Sequence, residues 1–111
     1  MMLENDPLTY YILDEDKQVQ SVKLGEYKNW LEHHIRDSRI AKDLVNGKVV
    51  STVFLLSTLD DDHFETKTFH DAGNGKLGRD VAELWAFDRY ETYEDAMRGH
   101  ERIVERVKGE S

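Results

Sequence analysis

Asn46-Gly47 lies between two apolar, β-branched runs, Arg39 to Val45 and Lys48 to Leu56. A two-residue type I′ hairpin turn needs φ > 0 at both central positions, and asparagine followed by glycine meets that need at the lowest steric cost. Residues 39–56 are therefore expected to form a β-hairpin. Its second strand is apolar on both faces, with Val49, Val53 and Leu55 on one and Val50, Phe54 and Leu56 on the other. Such a strand belongs in the middle of a sheet, covered on both sides.

The remaining elements are read outwards from that hairpin. Thr9 to Leu13 is aromatic and β-branched, Asp14-Glu15-Asp16 interrupts it, and Val19 to Val22 resumes the alternation, which reads as a strand or short hairpin. Leu24, Tyr27, Trp30, Leu31, His34 and Ile35 recur at helical spacing and predict an amphipathic helix ending near Asp37-Ser38, with Gly25 weakening its first turn. Phe64 to Phe69 alternates as a strand, residues 71–78 form a glycine-rich loop, and Glu83 to Tyr90 reads as a further strand. Thr92 is placed to cap a last helix with Asp95 at the capping-box position. Tyr93, Ala96, Met97, His100, Val104 and Val107 form its apolar stripe, and Gly109 ends it. The order β-α-β-β-β-β-α implies a single α+β domain over residues 1–111: an antiparallel sheet of about four to five strands with two amphipathic helices packed on one face.

Composition narrows the function classes. A chain of 111 residues can bury a core without disulfides or a structural metal, and the absence of cysteine removes thiolate zinc sites and thiol nucleophiles. The formal charge of −8 disfavours nucleic acid as a partner, because phosphate-backbone affinity needs clustered Lys and Arg. Acid is concentrated in residues 1–20 and 49–72, whereas the last segment interleaves both signs as a salt-bridged helix does, which argues against a DNA mimic. Residues 1–13, MMLENDPLTYYIL, lack a basic n-region, and no apolar run approaches the roughly 18 residues of a membrane span. The expectation is a cytoplasmic protein with no membrane partner.

The segments VSTVFL (Val50 to Leu55), Asp62-His63, Phe64-Glu65-Thr66, Asp88-Arg89-Tyr90 and Gly99-His100 resemble the pattern of a family of small uncharacterised proteins. That family is found mainly in bacteriophages, prophages and actinobacterial genomes. An early tryptophan helix and the Arg39-Ile40-Ala41 strand extend the resemblance over most of the chain. The chain departs at the hairpin tip, where Leu56-Ser-Thr-Leu-Asp-Asp-Asp-His63 runs straight into Phe64 in place of a longer glycine and proline loop. The resemblance implies a phage or prophage setting, hence a bacterial host cell, and supplies no reaction.

Two functional readings follow. The first takes Trp85 and Phe87 as sharing one face of their strand, with Phe69 on the same sheet. An aromatic patch left uncovered by helices marks an interface, so the chain is a small phage-type accessory protein that binds a protein partner or forms a homodimer. The second is a small metal-dependent or acid–base enzyme. His63 and Glu65 share a strand face, and His100, with Asp62 nearby, would complete a site for a divalent metal or for proton transfer. Plainer readings compete with the second. Asp60-Asp61-Asp62 favours a turn, and His100 reads as an interior histidine with one partnered nitrogen. Gly99, costing ~1 kcal/mol in a helix interior, is accounted for if the helix approaches the sheet closely there. A hydrolase triad of Ser51 or Thr52 with His63 and Asp62 lacks a nucleophile elbow. Asp88-Arg89 reads as strand-end ion pairing, and GNGKLG, with Arg79, lacks the spacing of a phosphate loop. The balance is towards binding and away from catalysis, with no cofactor required.

Overall fold

The computed structural model describes residues 9–56 and 60–110. Among them the order is β1 (Tyr10–Leu13), β2 (Val19–Val22), α1 (Leu24–His34), β3 (Arg39–Val45), β4 (Lys48–Phe54), β5 (Phe64–Asp71), β6 (Leu77–Asp80), β7 (Phe87–Tyr90) and α2 (Tyr93–Lys108). Strands β1 and β2 pair only with each other. The rest form an antiparallel five-stranded sheet in the order β3-β4-β5-β6, with β7 also paired to β5. The fold is α+β with an antiparallel sheet, as the patterning predicts.

The central hairpin forms as its turn chemistry dictates, with φ of 50° at Asn46 and 77° at Gly47. The Asn46 side chain then donates to the carbonyl of Val107 at 3.0 Å, so the turn also caps the end of α2. Strand β4 is central, and both its faces are withdrawn from solvent: Val49 on one side, Val50, Thr52 and Phe54 on the other. At the other end of α2 the Thr92 hydroxyl accepts from the Asp95 amide at 3.1 Å. Gly109 closes the helix with a right-handed φ of −77°, so its conformational freedom is not what stops the chain.

Both helices lie on one face. Trp30 of α1 meets Phe54 edge-on at 5.8 Å, and Phe54, Phe64, Tyr90 and Ala96 of α2 belong to the same buried cluster. Further along, Ile103 and Val107 of α2 pack on Val50. Each such fully buried side chain contributes roughly 1.5–3 kcal/mol relative to exposure. The first hairpin is tied to α1 through the Trp30 indole, which donates to the Leu13 carbonyl at 3.1 Å. Its turn is held by Asp14, whose carboxylate accepts from the amides of Asp16 and Gln18, each at 2.9 Å.

Three boundaries differ from the sequence reading. Helix α1 stops at His34 and tightens into a 3₁₀ turn, Ile35–Ser38. The segment taken as loop, residues 71–78, ends inside β6 (Leu77–Asp80), which extends the sheet edge beside Phe69 and Asp71. Most consequentially, Glu83 to Tyr90 is not one strand. Leu84–Ala86 is a 3₁₀ turn closed by the Ala86 amide on the Glu83 carbonyl, and only Phe87–Tyr90 is extended. Within the turn Ala86 is buried and Leu84 is 94% exposed.

Candidate functional site

Strands β4 and β5 bring Thr52 opposite Thr66 on the side facing α2. Their hydroxyl oxygens lie 2.5 Å apart, and Thr52 Oγ1 is 2.7 Å from Nδ1 of His100. The other ring nitrogen, Nε2, is 2.7 Å from Oδ2 of Asp43 on β3. Donor bookkeeping orders the chain: with a neutral ring, Nε2–H donates to the Asp43 carboxylate, Nδ1 accepts from the Thr52 hydroxyl, and Thr52 accepts from Thr66. Gly99 makes the approach feasible. A Cβ at that position would fall on the Tyr90 ring and its hydroxyl, so only glycine lets the helix settle on Tyr90 while the next residue reaches the threonines.

Hydroxyl, imidazole and carboxylate in series have the connectivity of a nucleophile triad. Thr52 and Thr66 are nevertheless 0% exposed, so no substrate reaches the hydroxyl. The chain of bonds instead satisfies polar groups that the α2–sheet interface would otherwise leave stranded, and it ties α2 to three strands. Tyr90, next to it, has a buried hydroxyl without a hydrogen-bond partner of good geometry among the described residues. Burial first, then the Asp88 carboxylate, push its phenol above the ordinary 10.0, while Arg102 and Thr66 pull the other way.

The three residues proposed as a metal or acid–base cluster are not brought together. His100 is committed to Thr52 and Asp43. Glu65 points to the opposite side of the sheet and pairs with Arg89 at 3.1 Å. His63 is buried with its ring 4.4 Å from that of Tyr11, and its Nδ1 is unpartnered among the described residues. Asp62 belongs to an acid-stabilised turn in which Asp60 Oδ1 accepts the Asp62 amide at 3.0 Å. No group of three His, Asp or Glu side chains among the described residues is arranged to hold a metal ion. Ser57, Thr58 and Leu59 of the same tip lie outside the described residues. The alternation rule was obeyed by β5; the cluster fails because α2, which carries His100, covers the face that presents Thr66, and Glu65 is on the other.

Comparison with family models, with curated proteins and with solved structures finds no match to this chain. What the chain can do therefore rests on its own surfaces. In the glycine-rich loop, Asp71 Oδ1 accepts from the amides of Gly73 and Gly75, each at 2.9 Å. Those are the donors a phosphate would need, and the loop's own carboxylate occupies them. At the start of α2 a polar cleft of ≈ 420 Å³ includes Arg89, Arg98 and Arg102, but it also includes Asp62, Glu91 and Asp95, and Arg98 is paired with Asp95.

The face turned away from the helices is different. Pairing register sets out three rows across it: Arg39, Val53, Glu65 and Arg89; then Lys42, Ser51, Lys67 and Phe87; then Leu44, Val49, Phe69 and Asp80. Leu44 is 54% and Phe87 45% exposed. Arg89 lies over the Phe87 ring at 5.8 Å and Lys67 near the Phe69 ring at 5.9 Å. Phe69 and Phe87 thus share this face, but Trp85 does not. The 3₁₀ turn carries Trp85 round to the buried end of α2, beside Val50, Ile103 and Val107, where Arg106 covers its ring at 5.0 Å. The aromatic pair expected from alternation is divided between the two sides of the sheet. Residues of the interior relay were missed because Asp43 and Thr66 carry no motif; the available signal was a run of threonines, at 52, 66 and 68, at positions that alternate inward.

Proposed function

We propose that the chain acts by binding another protein through the uncovered face of the five-stranded sheet, as a small accessory protein of phage type. The observation that carries this reading is the chemistry of that face. It gathers four basic side chains, Arg39, Lys42, Lys67 and Arg89, against two acidic ones, Glu65 and Asp80, around exposed Leu44 and Phe87, on a chain whose formal charge is −8. A basic and apolar patch on an acidic body favours approach of an acidic partner surface in one orientation. The resemblance of VSTVFL, Asp62-His63 and Gly99-His100 to small phage and prophage proteins supports the biological setting.

Nucleic acid fits the face less well. Two of its four cations are already held by carboxylates, Lys67 by Asp80 at 3.2 Å and Arg89 by Glu65 at 3.1 Å. These same cations lie against the Phe69 and Phe87 rings, the surfaces on which bases would have to stack. The test is affinity capture from infected or lysogenic cells with the wild-type chain and with Phe87→Lys, alongside light scattering of both proteins over a wide concentration range. A partner or a self-association that the variant loses supports the reading. A monomer that captures nothing sensitive to Phe87→Lys, or that binds single-stranded oligonucleotide instead, refutes it.

A further inference from the structure

The open face measures about four strands by six residues, on the order of 400 Å² in projection, against the ~800 Å² per partner of a standard interface. A partner of standard interface size therefore extends past the sheet. The concavity available at its edge is a groove of ≈ 490 Å³ between the 3₁₀ turn after α1 and strand β4, lined by Ile35, Arg36, Ser38, Arg39 and Val53. It is continuous with the face, because Arg39 and Val53 head the row that runs on to Glu65 and Arg89.

The groove's chemistry is one-sided. Its floor is apolar, with Ile35 43% exposed, and both its charged residues are arginines. Ser38 is turned to its own backbone, donating to the Ile35 carbonyl at 2.7 Å. Among the described residues no acidic side chain lines it, in contrast to the cleft at the start of α2, where acids match the arginines, and to the one beside Trp30, which includes Asp14, Glu15 and Asp37. Guanidinium groups take carboxylates through paired N–H donors. Among the described residues no aromatic ring lines the groove to stack a base.

We infer that this groove receives an acidic–apolar peptide segment of the partner, an apolar side chain packing on Ile35 and Val53 while flanking carboxylates meet Arg36 and Arg39. The inference rests on the reading of the open face as a protein-binding surface. It is tested by selecting a displayed random heptapeptide library on the immobilised chain, then titrating the enriched peptides by fluorescence anisotropy against wild type, Arg36→Glu/Arg39→Glu and Phe87→Lys. All the substituted side chains are exposed, so the fold is retained, and circular dichroism verifies it.

Enriched peptides should carry Asp or Glu around an apolar residue, lose affinity about tenfold or more in the double arginine variant, and weaken as salt rises. No enrichment, acid-free sequences, or equal affinity for wild type and the double arginine variant overturns the inference. Peptides lost in Phe87→Lys but kept in the arginine variant leave the face standing and remove the groove. Peptides lost only in the arginine variant support the groove, and the face is then judged by the capture experiment with Phe87→Lys. Self-association abolished by the arginine substitutions would make a second copy the occupant and would equally overturn it.

Discussion

Thr52→Val is the sharpest test of the interior relay, because valine matches threonine in shape and removes only the hydroxyl. In the parent, Thr52 Oγ1 serves both His100 Nδ1 and Thr66 Oγ1. Without it, a fully buried imidazole nitrogen has no donor and the Thr66 hydroxyl loses its acceptor. Leaving a buried polar group unsatisfied costs about 1–3 kcal/mol. Removing one hydroxyl from the interior recovers part of that, so the expected net loss is about 2 kcal/mol. For a domain of this length 1 kcal/mol moves Tm by about 5 °C, and thermal unfolding followed by circular dichroism should show a drop of about 10 °C. A cycle with His100→Leu separates the relay from general packing. The two substitutions together should cost less than the sum of each alone, with a coupling of about 0.5–3 kcal/mol. A Tm for Thr52→Val within about 2 °C of the parent, or strict additivity in the cycle, would refute the claim that these bonds tie α2 to the sheet.

Gly99→Ala sets two effects against each other: helix propensity gains ~1 kcal/mol, while the new methyl group meets the Tyr90 ring and hydroxyl. Overpacking at a rigid contact costs about 1–3 kcal/mol, and here the neighbour is a ring wedged under the helix, so the variant should melt below the parent. Tyr90→Phe should not rescue it, since ring carbons as well as the hydroxyl fill the space. A Tm at or above the parent's would show that α2 can lift off Tyr90. Asp14 provides a pH test. Backbone hydrogen bonding from Gln18, and further bonds from Gln20 and Asp16, hold its carboxyl below the ordinary 3.8 despite the opposing effect of burial. Its contribution to the first hairpin is therefore fully present above the unfolded-state value and is lost as pH falls through the lower folded-state value. Protection factors of the Asp16 and Gln18 amides, which divide out the intrinsic pH dependence of exchange, should fall over that acid range in the parent, and Asp14→Asn should flatten the dependence.

Legibility in the sequence followed the range of the interaction. The Asn46-Gly47 turn and the Thr92 cap are decided by residues within four positions of each other, so both were readable and both formed. The relay joins residues 48 and 57 positions apart, and nothing in Asp43 or Thr52 announces which histidine will arrive. His100 was legible as an interior residue near the sheet because Gly99 signalled close approach, but the choice between Thr66 and Glu65 depended on which face of the sheet α2 covers. Trp85 shows a different limit. Alternation in ELWAFDRY fits a strand throughout, yet the chain breaks into a 3₁₀ turn at Leu84–Ala86, and a single such break reverses the side to which Trp85 points.

That reversal changes the kind of binding to expect. With Trp85 under α2, the open face keeps one strongly exposed ring, Phe87, and its central valine, Val49, is already 0% exposed within the monomer. The long side chains Lys67 and Arg89 lie against the Phe69 and Phe87 rings while paired to Asp80 and Glu65, so the face is partly covered by its own residues. Obligate interfaces resemble a core cut in half and leave a monomer that does not stand alone. This face does not. On the proposed reading it suits a reversible encounter in which charge guides the approach and the surface ion pairs, each worth about 0–1 kcal/mol, rearrange readily to admit a partner. Affinity at such a surface should depend on ionic strength more than on the total area buried, and replacing Arg39 or Lys42, which head two of the three rows, should slow association more than it hastens release.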